Sequence, residues 1–277
     1  MNASSRHHPN THPLMNIIEA MKQRRSVRTF SGTALTPAQK QALDKAVAEA
    51  AFPFGGSVAV RLRNFDLKAG YRPGTYGFIK GADTFFLLAM EPDDASALSA
   101  GYGFEQVVLK AWQLGLGTCW IAGTFKGSDF NDGQTWPAGL KLKVVCPVGT
   151  PATPSLTEKI ARFAVGSKNR KPFDDLFFCG DFSTPVPASN PFREALEMLR
   201  LAPSSTNSQP WRALVAGSTM VHFYYKPKSA LSVLDTGIGI CHFHETEKFH
   251  GHEGSFSVLE APVPPHGWKY LVSYTRR

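Results

Sequence analysis

Apolar side chains along the chain recur at two spacings, three to four residues apart in some stretches and continuous in others. Asn16 caps a first short helix, with Glu19 at the capping-box position and Ile17, Ile18 and Met21 on its apolar side. Thr36 caps a second helix with Pro37 at its first position, where Leu43, Ala46, Val47 and Ala50 repeat at i, i+3, i+4, i+7 before Phe52-Pro53 ends it. The most apolar short run, Ala82 to Met90, has strand length. A third helix is read over Tyr102 to Leu114, with Phe104, Val107, Val108 and Ala111 apolar, followed by a strand at Leu142 to Val148.

The same order then returns. A basic segment, Arg24-Arg25-Ser26-Val27-Arg28-Thr29-Phe30, is matched by Lys168-Asn169-Arg170-Lys171-Pro172, and Phe30-Ser31-Gly32 by Phe178-Cys179-Gly180, 148 residues later. An Asn190-Pro191 helix start carries Phe192, Ala195, Leu196 and Leu199 on one face, and Pro203 lies 150 residues after Pro53. Ile238 to Phe249 matches Tyr102 to Leu114, each helix entered through a G-x-G, at Gly237/Gly239 and at Gly101/Gly103. Each copy closes on a strand, the second at Lys269 to Tyr274. Element order repeats more strongly than identity, and two copies make a two-fold-like body from one chain, as if a homodimer had been fused. The expected fold class is α+β with two similar halves: a tail over 1–14, a first half over 15–165 and a second over 166–277.

Composition narrows the function classes. With 277 residues, 43% of them hydrophobic, the chain has material for a sizeable core, which excludes wholesale disorder. The 24 glycines and 20 prolines show no collagen period and no low-complexity block. No run approaches the ~18 apolar residues of a spanning helix, and the stretch before Leu14, with its three histidines, has no secretory apolar core. The four cysteines, Cys119, Cys146, Cys179 and Cys241, lack C-x-x-C spacing, so a reducing cytoplasm is expected. A net charge of +8 suits nucleic acid, an anionic membrane or phosphorylated small molecules alike. No recognised nucleic-acid module is present, and no aromatic platform alternates with the basic residues.

Two segments carry candidate chemistry. Arg24, Arg25, Ser26 and Arg28 place three guanidiniums and a hydroxyl together, which suits a phosphate clamp or, more plainly, a solvated basic helix end. Ala202-Pro203-Ser204-Ser205-Thr206-Asn207-Ser208-Gln209-Pro210-Trp211 offers many donors and acceptors beside one large aromatic, suited to the edge of a planar heterocycle or simply to a long polar turn. Together with LGLGTCWIAG (Leu114 to Gly123), these segments resemble the signature segments of the nitroreductase family of flavin mononucleotide (FMN) oxidoreductases. GSKNRKPFDDLFF, which begins at Gly166, resembles that family's basic segment near the usual C-terminus.

The resemblance implies an FMN site shared between two halves, with the arginines from one and the Pro-Ser-Ser loop from the other. Arg24 and Ser26 would hold the phosphate end with Lys168 and Arg170, Arg25 would be a further cofactor-binding residue, and Arg28 would lie near the N1/C2 carbonyl edge of the flavin. Pro203, Ser204, Ser205 and Asn207 would contact the ring and ribityl chain, and backbone N–H groups around Ala122 and Gly123 would face N5. NADH or NADPH is the implied electron donor, a small organic molecule the acceptor, and the fused body would act as a monomer; the alternative is an FMN-binding storage or sensing module without turnover. The order of the segments departs from the family's. The polar loop is absent after the first helix pair, where Ala50-Ala51-Phe52-Pro53-Phe54-Gly55-Gly56 stands instead, so one complete site and one degenerate site are expected.

Other signals are set aside. Gly115-Leu116-Gly117 follows a helix and is not the dinucleotide fingerprint. His242, His244, His250 and His252 match no metal motif and are expected on and just after a surface helix, with Ile238, Ile240 and Phe243 facing the core. Cys119 is expected to be buried, and Trp120 and Phe125 to line either the pocket or the core.

Overall fold

The computed structural model describes residues 15–66, 73–131, 133, 135–153 and 169–277. The expected tail over 1–14 and Lys168 lie outside the described residues.

Two short helices open the chain, α1 (Ile17–Gln23) and α2 (Pro37–Glu49). Each begins with a reciprocal capping box, Asn16 with Glu19 and Thr36 with Gln39, so orphan N–H groups of both first turns are satisfied from the sequence itself. Strands β1 (Val58–Asn64) and β2 (Thr84–Met90), helix α3 (Asp94–Gln113), strand β3 (Gly117–Thr118), helix α4 (Gly127–Asn131) and strand β4 (Lys141–Gly149) follow. They make a four-stranded antiparallel sheet in the order β1-β2-β4-β3. β2 is buried along its whole length: Phe86 and Leu88 face the main core, while Phe85 and Leu87 face a second cluster with Phe65, Phe130 and Val145. A strand packed on both faces has no polar positions to alternate with, which is why it reads as a continuous apolar run.

The second sheet is built from β5 (Phe177–Cys179), β6 (Asp181–Pro185), β7 (Trp211–Ala216), β8 (Met220–Tyr225), β9 (Gly254–Ser257) and β10 (Lys269–Arg276). Its order is β6-β5-β7-β8-β10-β9, antiparallel except for the β5–β7 pair. Helices α5 (Arg193–Leu201) and α6 (Ser232–Phe249) complete this half. On α5 the expected face of Phe192, Ala195, Leu196 and Leu199 is the buried one.

α3 and α6 pack against each other between the two sheets, and here the sequence reading needs correcting. Gly101, Gly103, Gly237 and Gly239 lie inside the helices, not at their entries; α3 already begins at Asp94 and α6 at Ser232. Glycine is a poor helix former, costing about 1 kcal/mol against alanine, so the pairs looked like boundaries. Tertiary packing overrides that preference. A Cβ on Gly101 would overlap the carbonyl oxygen of Leu234, and one on Gly237 would overlap that of Leu98. The contact is reciprocal, residue for residue: Gly237 corresponds to Gly101 and Leu234 to Leu98, each 136 positions later. Such reciprocity defines a local two-fold axis between the two halves.

A second correction concerns the histidines. α6 is a buried central helix, not a surface one, and His242 is completely buried. From Ser232 to Phe243 every residue is buried, so the helix has no solvent face for its sequence to display until its last turn, where Lys248 and Phe249 are exposed.

Candidate functional site

Val27 is the pivot of the basic segment. Ser26 bridges Thr118 of β3, and Val27 donates its N–H to the Thr118 carbonyl at 2.8 Å, so the segment runs along a sheet edge in extended form. Side chains then alternate: Val27 enters the core, while Ser26 and Arg28 turn to the other face. The same rule acts at Ile121, which is bridged to Val145 and buried, leaving Trp120 and Ala122 on the opposite side.

These faces line a cavity of about 650 Å³ with contributions from both halves. Arg24, Arg25, Ser26, Arg28, Ala122 and Gly123 come from the first half; Arg170, Pro203, Ser204, Ser205 and Asn207 come from the second. Every sequence-predicted site residue that lies among the described residues is therefore brought to one cavity. Trp120 also lines it, whereas Phe125 packs edge-on against Phe130 in the core. Cys119 is buried.

The polar loop is held in an unusual shape. Thr206, Asn207 and Gln209 have φ of +50°, +56° and +48°, left-handed values that non-glycine residues adopt at a cost of about 1 kcal/mol or more each. Several bonds fix it. The Gln209 side chain accepts from the N–H of Lys171 at 2.8 Å, Asn207 Oδ1 accepts from Arg170 at 3.1 Å, and Gln209 N–H donates to the Ser204 hydroxyl at 3.0 Å. On α6, Asp235 accepts from the Ser205 N–H at 3.0 Å and from the Ser208 hydroxyl at 3.4 Å. The Lys171 ammonium donates to the carbonyl of Ser208 at 2.6 Å, and burial lowers its pKa to about 8.

The arginine side is charged, with Arg25 exposed and the Arg24 side chain buried. The Arg24 side chain is 5% exposed, and its Nε lies 3.6 Å from Oε1 of Glu105, whose side chain is fully buried on α3. The second carboxylate oxygen accepts from the indole N–H of Trp120 at 2.8 Å. Glu105 Oε1 also meets His242 Nε2 at 3.0 Å, and His242 Nδ1 donates to the Met198 carbonyl at 3.1 Å. A carbonyl only accepts, so Nδ1 carries a hydrogen, and the contact with Glu105 needs one more proton, on the ring or on the carboxyl. Arg24 Nη1 remains buried with no hydrogen-bond partner among the described residues. Burial lowers the Arg170 pKa, and the nearby positive charge of Arg24 adds to that. Two guanidiniums held near each other in a partly buried wall, one with an unused N–H group, suit an anion of more than one oxygen.

Glu105, His242 and Asp235 escaped the sequence reading of the site. The available signal was an acid inside an apolar helical stretch, GFEQVV and VLDTGI, which on a buried face demands a partner.

Asp235 gives a pH-dependent expectation. Burial pushes its pKa up from 3.8 to about 7, against the opposing bonds from Ser205 and Ser208. A carboxyl raised on folding contributes stability below 3.8 that is lost as pH climbs through about 7. Asp235→Asn removes that loss. The variant is expected to gain on the wild type between pH 4 and 7 and to stay ahead above, by roughly 2–4 kcal/mol, in urea unfolding at stepped pH. A pH-independent difference would contradict the assignment.

The local axis through α3 and α6 relates this cavity to a second place, which is filled. Tyr102 and Leu98 stand where Ile238 and Leu234 line the cavity, 136 positions later. There Phe54 packs edge-on against Tyr102 and Phe256 with ring centroids 5.4 and 5.0 Å apart. His244 joins them, hydrogen-bonded to the Tyr102 hydroxyl at 2.6 Å, and burial lowers its pKa to about 4, so it is neutral at neutral pH.

Two sheets flanking a pair of reciprocal helices, with a cationic and amide-rich cleft between the halves, define a two-half α+β protein whose cleft has the chemistry to suit an anionic ligand. Residues 16–246 match the family model described as "Putative TM nitroreductase". The chain belongs to this nitroreductase family, a family of oxidoreductases. A "putative nitroreductase" of Thermotoga maritima has a similar structure, with a TM-score of 0.60 at 18% identity over 99% of this chain and 98% of that one. A nitroreductase with bound FMN from Desulfitobacterium hafniense is 16% identical over 51% of this chain and 92% of its own, with a TM-score of 0.41. One from Desulfovibrio desulfuricans in complex with FMN is 20% identical over 52% and 94%, with a TM-score of 0.38. No curated protein sequence matches the chain. Among the described residues, no helix is long and apolar enough to cross a membrane, and no three His, Cys, Asp or Glu side chains are grouped to hold a metal ion.

Proposed function

We propose that the protein is an FMN-dependent oxidoreductase that passes electrons from NADH or NADPH to a small organic acceptor, nitroaromatic or quinone-like, in a ping-pong cycle. One observation carries the reading: Arg24, with a buried unpartnered N–H group, and Arg170, bonded to Asn207 in a loop of hydroxyls and amides, line one cavity from opposite halves. A cavity of about 650 Å³ is within the ordinary range for a cofactor site.

In this reading Arg24, Ser26 and Arg170 hold the phosphate end, joined by Lys168. Arg28 brings positive charge to the pyrimidine edge, and Pro203, Ser204, Ser205 and Asn207 bear on the ring and ribityl chain. Backbone N–H groups near Ala122 and Gly123 face N5. FMN, when bound, supplies hydride acceptance and return at N5. The chain's own part is to fix the ring plane, exclude water with Trp120 and the strained loop, and stabilise negative charge at the arginine side. The four described cysteines are all free, in keeping with a cytoplasmic protein, and the two halves in one chain support a monomer.

The filled second place leads us to propose one flavin per chain, with the halves divided near residue 166. Titrating the protein with FMN by fluorescence quenching is expected to saturate at one equivalent. Adding NADPH, then NADH, without air is expected to bleach the flavin bands, and a nitroaromatic to restore them. Bands that persist would assign the protein to flavin storage or sensing, and no bound flavin would overturn the reading.

A further inference from the structure

Position 235 of α6 and position 99 of α3 do the same work on opposite sides of the molecule. They stand 136 residues apart, the offset that relates Gly237 to Gly101 across the local axis. Ser99 accepts the N–H of Phe54 at 3.1 Å and donates to the carbonyl of Gly55 at 2.8 Å, tying down the loop that fills the second place. Asp235 ties the corresponding loop of the cavity side through Ser205 N–H and the Ser208 hydroxyl. In the Phe54 loop both Gly55 and Gly56 take positive φ, as glycine does at little cost. The cavity loop takes positive φ at Thr206, Asn207 and Gln209, where side chains oppose it. The more strained loop is tied at two points by one side chain, since a carboxyl group has two oxygens and accepts from Ser205 on one and from Ser208 on the other.

We propose that Asp235 is a positioning residue that holds the Ser204–Gln209 loop in its left-handed shape and so sets how tightly the cavity binds its ligand. For its affinity effect, and only for that, the inference rests on the reading of the cavity as an FMN site. Asp235 itself lines the cavity, but its role is exercised through the loop. The amide of Asn presents one oxygen to Ser205 N–H and keeps the tie, whereas Ala removes it.

The test is hydrogen exchange of the ligand-free protein, resolved at 204–209, in the wild type, Asp235→Ala and Asp235→Asn, followed by FMN titration of each. In Asp235→Ala the loop amides are expected to exchange about tenfold faster or more, with the β7 and β8 amides unchanged, and FMN to bind about tenfold more weakly. Asp235→Asn is expected to restore both to within about threefold. If Asp235→Ala does not fold, Asp235→Leu, similar in shape and without an acceptor, takes its place. Unchanged exchange at 204–209 in the acceptor-free variant would overturn the proposal, as would Asp235→Asn behaving like it. Should the wild type bind no FMN, the flavin reading fails by itself, and the exchange comparison still decides whether Asp235 holds the loop.

Discussion

Gly237→Ala lowers the unfolding free energy by at least about 3 kcal/mol, and Gly101→Ala does the same. The added methyl would overlap a backbone carbonyl of the opposite helix, and no rotamer change relieves that. Overpacking a core by a methylene costs about 1–3 kcal/mol when side chains can yield. Here only a shift of the whole α3–α6 pair makes room, opening a core that holds Phe104, Leu109, Ile240 and Phe243. Because one separation of the helices relieves both clashes, the double variant is expected to lose much less than the sum of the two single losses. Urea unfolding of the three variants checks this. A single-variant loss under about 1 kcal/mol would mean that the helices slide apart easily and that the close approach is incidental.

Glu105→Ala is the second large effect, with an expected stability loss of about 3–5 kcal/mol. A buried carboxyl group that meets Arg24, His242 and the Trp120 indole N–H leaves all three groups without their partner when it is removed. Two of them, Arg24 and Trp120, belong to the cavity wall, so the damage reaches the site. FMN affinity is therefore expected to fall along with stability, in fluorescence titrations at a temperature where the variant is still folded. Glu105→Gln separates the contributions: it keeps the shape and an oxygen for Trp120, but takes the charge from beside Arg24. A Glu105→Ala variant as stable as the wild type would show that the pair is not what holds Arg24 in place.

Much of this was readable in the chain, and for local reasons. Asn16 with Glu19 marks the start of α1 because capping is a contact between residues three apart. The run at β2 marks a buried strand by its unbroken apolar character. The duplicated order of elements suggested two halves, and the misplaced APSSTNSQPW segment made sense only if a site drew on both. What stayed hidden depends on contacts that sequence distance conceals. Gly101 and Gly237 read as helix boundaries because their partner is another helix more than a hundred residues away. His242 read as a surface residue because neighbouring His244, His250 and Glu245 look solvated, while its partner Glu105 lies on α3. The left-handed turn at Thr206 is against the residue's own preference, and only its surroundings impose it.

The reciprocal contact of α3 with α6 also changes what dilution and mutation do. When a cleft lies between separate subunits, its integrity falls as the subunits are diluted below their dissociation constant, and every substitution is introduced on both sides at once. In one chain the two faces meet at a fixed effective concentration, so the cleft persists at any protein concentration. Each side is also free to change alone. That freedom lets Phe54 and its aromatic neighbours close one place while Ser204, Ser205 and Asn207 keep the other open, a division of labour that two identical subunits have no means of making.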